Sequence, residues 1–152
     1  MNLNKYIELK NRHQNELKQV QLIYAFNRKD LNDGLKKLGL KKTDVDKLIP
    51  LNGGCYTTIE NIEKLAKLLK KQSKELKDAI MKDKNGTDFI YDMFSYELAN
   101  HEYTYTRDLS DTLNVLNISE RDIKNNPNLK NGLKLAVEDA LQYERKKEEY
   151  EL

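Results

Sequence analysis

The stretch Thr87–Asp111, TDFIYDMFSYELANHEYTYTRDLSD, decides the reading of this chain. It holds six of the twelve aromatic residues and has no lysine, in a protein otherwise rich in lysine. Placed on a helix at 100° per residue, residues 88–101 put Phe89, Met93, Tyr96 and Asn100 on one face. Ile90, Phe94, Glu97 and His101 lie beside them, followed by Leu98 and Tyr91. Only Asp92, Ser95 and Ala99 form a wet strip. A helix apolar over so wide an arc belongs at the centre of a core. Glu97 and His101, four residues apart, fall inside that arc and stand close enough to touch.

Working outward, residues 3–18 read as a first helix, with Leu3, Tyr6, Ile7, Lys10, His13 and Leu17 at helical spacing. Residues 20–26, VQLIYAF, read as a buried strand. Asn27, with Asp30 three residues on, opens a helix through Leu31, Leu35 and Leu38 that Gly39 stops. Thr43 with Asp46 marks a short helical turn. Asn52-Gly53-Gly54 reads as the turn of a hairpin between strands 48–51 and 54–57, with Pro50 confining its strand to an edge. Thr57 with Glu60 carries a capping-box signature for a long helix over 59–81. Thr87 or Asp88 is expected to cap the central helix, and Tyr103–Tyr105 to be a connector. Leu109, Leu113 and Leu116 line a further helix, after which Asn117 suits a left-handed residue. Ser119 with Asp122 caps a short helix, and Pro127 opens the last one, buried through Leu129, Leu133, Ala136, Val137 and Ala140. The expected fold is α+β and helix-dominated: about six helices around the central helix 88–101, with a small antiparallel sheet. With no internal repeat or long linker, residues 1–152 are expected to form a single compact domain, the tail from about 145 frayed.

Charged residues reach 34%, yet the net charge is only +2, which argues against wholesale nucleic-acid binding. The charge is unevenly placed. In residues 87–111 six carboxylates oppose Arg107 alone, a balance of −5, so the rest of the chain carries +7. The single cysteine, Cys55, has no internal disulfide partner. The N-terminus lacks an apolar signal region, and no run approaches the roughly 18 apolar residues of a membrane span. These features point to a cytoplasmic protein without membrane attachment.

Several residues are candidates for chemistry. Buried carboxylate and imidazole must be paired, so Glu97 and His101 need partners, sought in Asn100, Arg107, Asp108, Asp111 and the hydroxyls of Tyr96, Tyr103 and Tyr105. If the chain is an enzyme, His101 is a general base oriented by Glu97. If it binds a metal, Glu97, His101, Asp108 and Asp111 are the ligands. The plainer reading is a structural network locking the central helix to the helix after Asp108. It is favoured because one histidine among scattered carboxylates is far weaker than a spaced ligand motif, so no cofactor is expected. Lys64, Lys67, Lys71 and Lys74 share a face of the long helix and are the candidates for phosphate contacts. Glu63, Glu75 and Asp78 intervene and no aromatic interleaves, which favours an ordinary solvated face. Cys55 and Gly53-Gly54 complete no catalytic or phosphate-binding motif. Asp88, Asp92, Glu102, Tyr103 and Tyr105 are the candidates for a protein-docking or DNA-mimicking surface.

The block FIYDMFSYELANHEYTYTRDLSDTL resembles a family of small uncharacterised proteins, a domain of unknown function found in bacteria, their phages and plasmids. The shared signature is FIYDMFxYELxNHEYxYTxDLxDTL, joined by the IYAF segment, LNDGLKKLGL and the Gly53-Gly54 turn. The chain departs from the pattern at Asn117, where glycine is expected, and at Cys55. The resemblance implies a mobile-element setting, in which many small proteins bind and disable a host defence complex. The expected function is therefore a non-enzymatic accessory protein that binds a protein partner, an anti-CRISPR-like inhibitor of a bacterial defence system. The rivals are a small metal-dependent hydrolase or nuclease-like enzyme centred on Glu97 and His101, and a nucleic-acid binder using the lysine face.

Overall fold

A computed structural model describes residues 3–151. The fold is α+β and helix-dominated, as expected, with one three-stranded antiparallel sheet. In chain order the elements are α1 (Lys5–Lys18), β1 (Ile23–Tyr24), α2 (Arg28–Lys37), a 3₁₀ turn (Lys42–Lys47), β2 (Leu48–Leu51), β3 (Cys55–Thr58) and α3 (Ile59–Lys82). Then come α4 (Phe89–Asn100), α5 (Tyr103–Thr106), α6 (Ser110–Leu116), α7 (Glu120–Asn125) and α8 (Pro127–Glu151). Two compact units result, one from Arg12–Lys74 and the other from the chain up to Asn11 together with the chain from Glu75.

In the Arg12–Lys74 unit the sheet order is β1-β3-β2. Pro50 thus lies on an edge strand, where its missing donor costs no ladder bond. The expected strand 20–26 shrinks to Ile23–Tyr24, paired with Tyr56 and Cys55. Ala25 N–H still donates to Gly54 O at 3.0 Å, but the ends of the expected segment are claimed by helices. Val20 N–H bonds back to Leu17 O at the end of α1, and Phe26 N–H reaches the Asp30 carboxylate at the start of α2. Asn27 caps α2 as expected, its side chain accepting from Asp30 N. The third strand is Cys55–Thr58 rather than 54–57, and this register moves the cap of α3 by one residue. Thr57 is fully buried and donates to Gln21 O at 2.8 Å, while Thr58 Oγ1 accepts Asn61 N–H at 3.2 Å. The cap is therefore Thr58 with Asn61, not Thr57 with Glu60.

The other unit is built on α4. Ile90, Met93 and Phe94 are sealed from solvent, and Tyr6, Leu113, Leu116, Leu129, Leu133 and Ala136 pack around them. Eight α-helices are present among the described residues, against about six expected, partly because the connector 103–105 is itself a single helical turn. Asn117 takes the expected left-handed conformation (φ 53°), and Ser119 and Asp122 form the expected reciprocal cap of α7. α8 opens at Pro127 and continues to Glu151.

The cap of α4 differs from expectation. Asp88 occupies the capping position, but its side chain makes no capping bond. Asp83, buried at the end of α3, does the work instead: Oδ2 accepts from Asp88 N and Ile90 N, and Oδ1 from Gly86 N. Here α8 comes very close. Asn128 donates to Asp83 O at 3.2 Å, and a Cβ on Gly86 (φ 78°) would sit 2.0 Å from Asn128 O. Only glycine satisfies both that backbone angle and that approach.

Candidate functional site

Two polar arrangements lie on opposite sides of α4. The first is inside. Glu97 exposes none of its side chain, and its Oε1 accepts from the Tyr6 hydroxyl at 2.7 Å and from Lys10 Nζ at 3.1 Å. Its Oε2 lies 3.2 Å from His101 Nε2, without the alignment of a hydrogen bond. Thr112, fully buried on α6, donates to the Glu97 backbone carbonyl. Lys10 Nζ also stands 4.9 Å from the Tyr96 ring centre and 5.9 Å from that of Tyr6, within cation–π range. Burial pushes the Glu97 carboxyl up, but the Tyr6 and Lys10 contacts outweigh it and hold the group below the usual carboxylate range. Burial, then the bond to Glu97, drives the Tyr6 hydroxyl far above its ordinary range.

Glu97 and His101 are thus brought together as expected, but their surroundings are different. The main partners of Glu97 come from α1, four residues apart on one face, and of the expected partners Asn100 contributes a weaker contact. Asp108 and Asp111 are exposed; Asp108 accepts Ser110 N at the start of α6, and neither joins Glu97 and His101 in a ligand cluster among the described residues. His101 keeps 24% of its side chain exposed while Glu97 keeps none. Oε1 is taken by Tyr6 and Lys10, and Oε2 is buried against the His101 imidazole. The sequence shows that these two residues need a partner, but not which one. Tyr6 and Lys10 occupy core-facing positions of an amphipathic helix, where a polar head needs a buried counterpart.

The second arrangement is outside, a groove of about 510 Å³ formed by α4, α5 and α8. At its base lie Leu98 and Ala136, both buried. Ala99 and Ala140 line it with only methyl groups. Tyr105 and Tyr143 stand at its margin, 74% and 70% exposed, and Tyr91 is fixed in its wall by a hydrogen bond to Asp139. That bond is the first cause of the raised Tyr91 pKa, with burial second. Three carboxylates, Glu102, Asp139 and Glu144, line the groove, and among the described residues no lysine, arginine or histidine does. Glu102 holds a left-handed backbone (φ 55°), as does Arg107 (φ 57°) at the other end of the single turn α5. Non-glycine residues rarely adopt this conformation, so the turn that carries Tyr105 is strained at both ends.

The five candidate docking residues separate on this geometry. Glu102 and Tyr105 lie in the groove, joined by Tyr91, Asp139, Tyr143 and Glu144, which sequence reading did not single out. Asp88 and Asp92 face α1: Lys5 Nζ pairs with Asp88 at 2.6 Å, and Lys5 N–H bonds Asp92 at 3.0 Å. Tyr103 is half-buried against the core. The α8 half of the groove is hidden in the sequence because Asp139, Tyr143 and Glu144 lie beside the buried stripe of the last helix, with nothing in their spacing to mark a site. Only contact with α4 and α5 gives it a role.

In the other unit the four candidate lysines all lie on the exposed side of α3. Lys64 pairs with Glu60 at 3.4 Å and Lys71 with Glu16 at 3.4 Å, so part of this face is neutralised within the unit. Among the described residues no helix is long and apolar enough to cross a membrane.

Comparison with curated proteins and with solved structures gives no match. The family models give one. Residues 5–139, which include α4, α5 and most of the groove, match the model of a family of unknown function, DUF7659, and the chain belongs to that family.

Proposed function

We propose that this chain is a non-enzymatic binding protein that docks on a protein partner through the groove of α4, α5 and α8. The observation that carries the reading is the pair of exposed tyrosines, Tyr105 and Tyr143, beside a mostly apolar groove edged by carboxylates. Tyrosines next to a desolvatable depression have the composition of an interface hot spot. The interior pair Glu97–His101 serves the fold in this reading, because the carboxylate is fully buried and its Oε1 is held by Tyr6 and Lys10.

The class of partner we propose, a bacterial defence complex, follows from the mobile-element setting that the resemblance implies. Affinity capture with the purified protein from a native host tests both steps. A protein recovered in stoichiometric amount, and lost with Tyr105→Ala or Tyr143→Ala, supports docking through the groove. Recovery of no stoichiometric protein counts against the binding function itself.

A further inference from the structure

We infer that the groove receives a basic side chain, lysine or arginine, carried on an amphipathic segment of the partner protein; this rests on the docking function proposed above. Charge complementarity carries the inference. Glu102, Asp139 and Glu144 line the groove with no basic residue among its lining, in a chain of net charge +2. A site of this composition attracts a cation and repels an acidic segment.

The lining also fits the rest of such a side chain. The alkyl stem of a lysine packs along apolar surface while its ammonium stays near charge and water. Leu98, Ala136 and Ala140 supply that surface, and the tyrosine rings at the margin supply faces for the cation. The molecule already uses this chemistry on the inner side of α4. Lys10 there sits against the Tyr6 and Tyr96 rings with its ammonium on a carboxylate. The outer groove presents the same types of group with no lysine of its own.

The test is an NMR titration of the full chain with a synthetic amphipathic Leu/Lys peptide. Parallel titrations use the same peptide with lysine replaced by glutamine or by glutamate, and spermidine. Saturable shifts at Leu98, Ala136 and Ala140 with the lysine peptide are expected, weakened about tenfold by Glu102→Gln or Tyr143→Ala, a loss of roughly 1.4 kcal/mol. Raising the salt concentration should weaken binding further. Both variants change exposed side chains, and an unchanged spectrum outside the groove verifies that they fold. Equal binding of the glutamine peptide overturns the basic-side-chain inference while leaving docking through the groove intact. Shifts with spermidine alone overturn it in favour of a small polycation. No groove shift with any probe also overturns it. Self-association abolished by Tyr143→Ala overturns it in favour of a second copy of this chain. If affinity capture yields a stoichiometric partner that Glu102→Gln and Tyr143→Ala retain, the groove is the wrong surface and the binding function stands.

Discussion

The Tyr6 hydroxyl donates to the Glu97 carboxylate at 2.7 Å, joining residues 91 positions apart inside one compact unit. This bond and the Lys10 contact are what allow a charged carboxylate to remain fully buried. Tyr6→Phe keeps the ring contacts with Phe89 and Tyr96 and removes only the donor. It should cost about 1.5–3 kcal/mol, the range for a hydrogen bond to a charged group. Glu97→Ala should cost more, about 3–5 kcal/mol, because it strands Lys10 without its carboxylate. Urea denaturation of the two variants beside the parent protein measures both. Equal, negligible losses would mean that the pair does not support the fold.

The same carboxylate sets a pH dependence. Glu97 titrates below the ordinary value of 4.5 in the folded protein, so the unfolded chain binds its proton more readily. Its contribution to stability is therefore complete above 4.5 and is lost as the pH falls through the lower folded value. Glu97→Gln should remove this part of the acid-side slope while leaving the slopes of other carboxylates, such as Asp44 and Asp122, in place. Denaturation curves collected from neutral to acid pH for both proteins should converge at the acid end. Parallel curves across the whole range would contradict the assignment.

How far the sequence reveals this molecule depends on the range of the interactions. The wide apolar arc of α4, the Asn27 and Ser119 caps and the left-handed Asn117 are local, and each follows from residue type and spacing. The central Glu97–His101 pair is equally local, being one helical turn. Its true partners are not: Tyr6 and Lys10 reach it across more than half the chain, and spacing in sequence carries no trace of which helices meet. The groove is half legible for the same reason. Glu102 and Tyr105 belong to the acidic aromatic block, whereas Asp139, Tyr143 and Glu144 acquire their role only when α8 packs on α4. Asp83 lies outside the helix that it caps, so a search for caps at residues adjoining α4 passes over it.

Asp83 provides a prediction of its own. Its carboxylate satisfies three backbone N–H groups at the α3–α4 junction, so Asp83→Ala leaves three donors to find other partners. The expected loss is about 2 kcal/mol or more, at or above the upper end for a single helix cap. Asp83→Asn keeps one carbonyl oxygen and should lose less. Amide hydrogen exchange offers the direct readout: Gly86 and Ile90 should lose protection in the alanine variant before the centre of α4 does. Gly86→Ala should be more damaging than the usual cost of about 1 kcal/mol at a glycine, since the added methyl meets the Asn128 carbonyl. Unchanged exchange at these amides would show that Asp83 does not hold the junction.

The start of α3 separates two neighbouring threonines that look equivalent in sequence. Strand register turns Thr57 inward, where its hydroxyl donates to Gln21 O, and leaves Thr58 to accept Asn61 N–H as the helix cap. Thr58→Ala should therefore cost about 1 kcal/mol through the lost cap. Thr57→Val keeps the buried volume and removes the donor, leaving the Gln21 carbonyl short of a partner that Asn61 Nδ2, also on that oxygen, partly replaces. A loss of about 1 kcal/mol is expected there as well, by a different route. Glu60→Ala, at an exposed residue paired with Lys64 on the surface, should stay within about 0.5 kcal/mol of the parent. Urea denaturation of the three variants discriminates the two possible caps. A large effect of Glu60→Ala with none from Thr58→Ala would restore Thr57 and Glu60 as the cap and require β3 to slip by one residue.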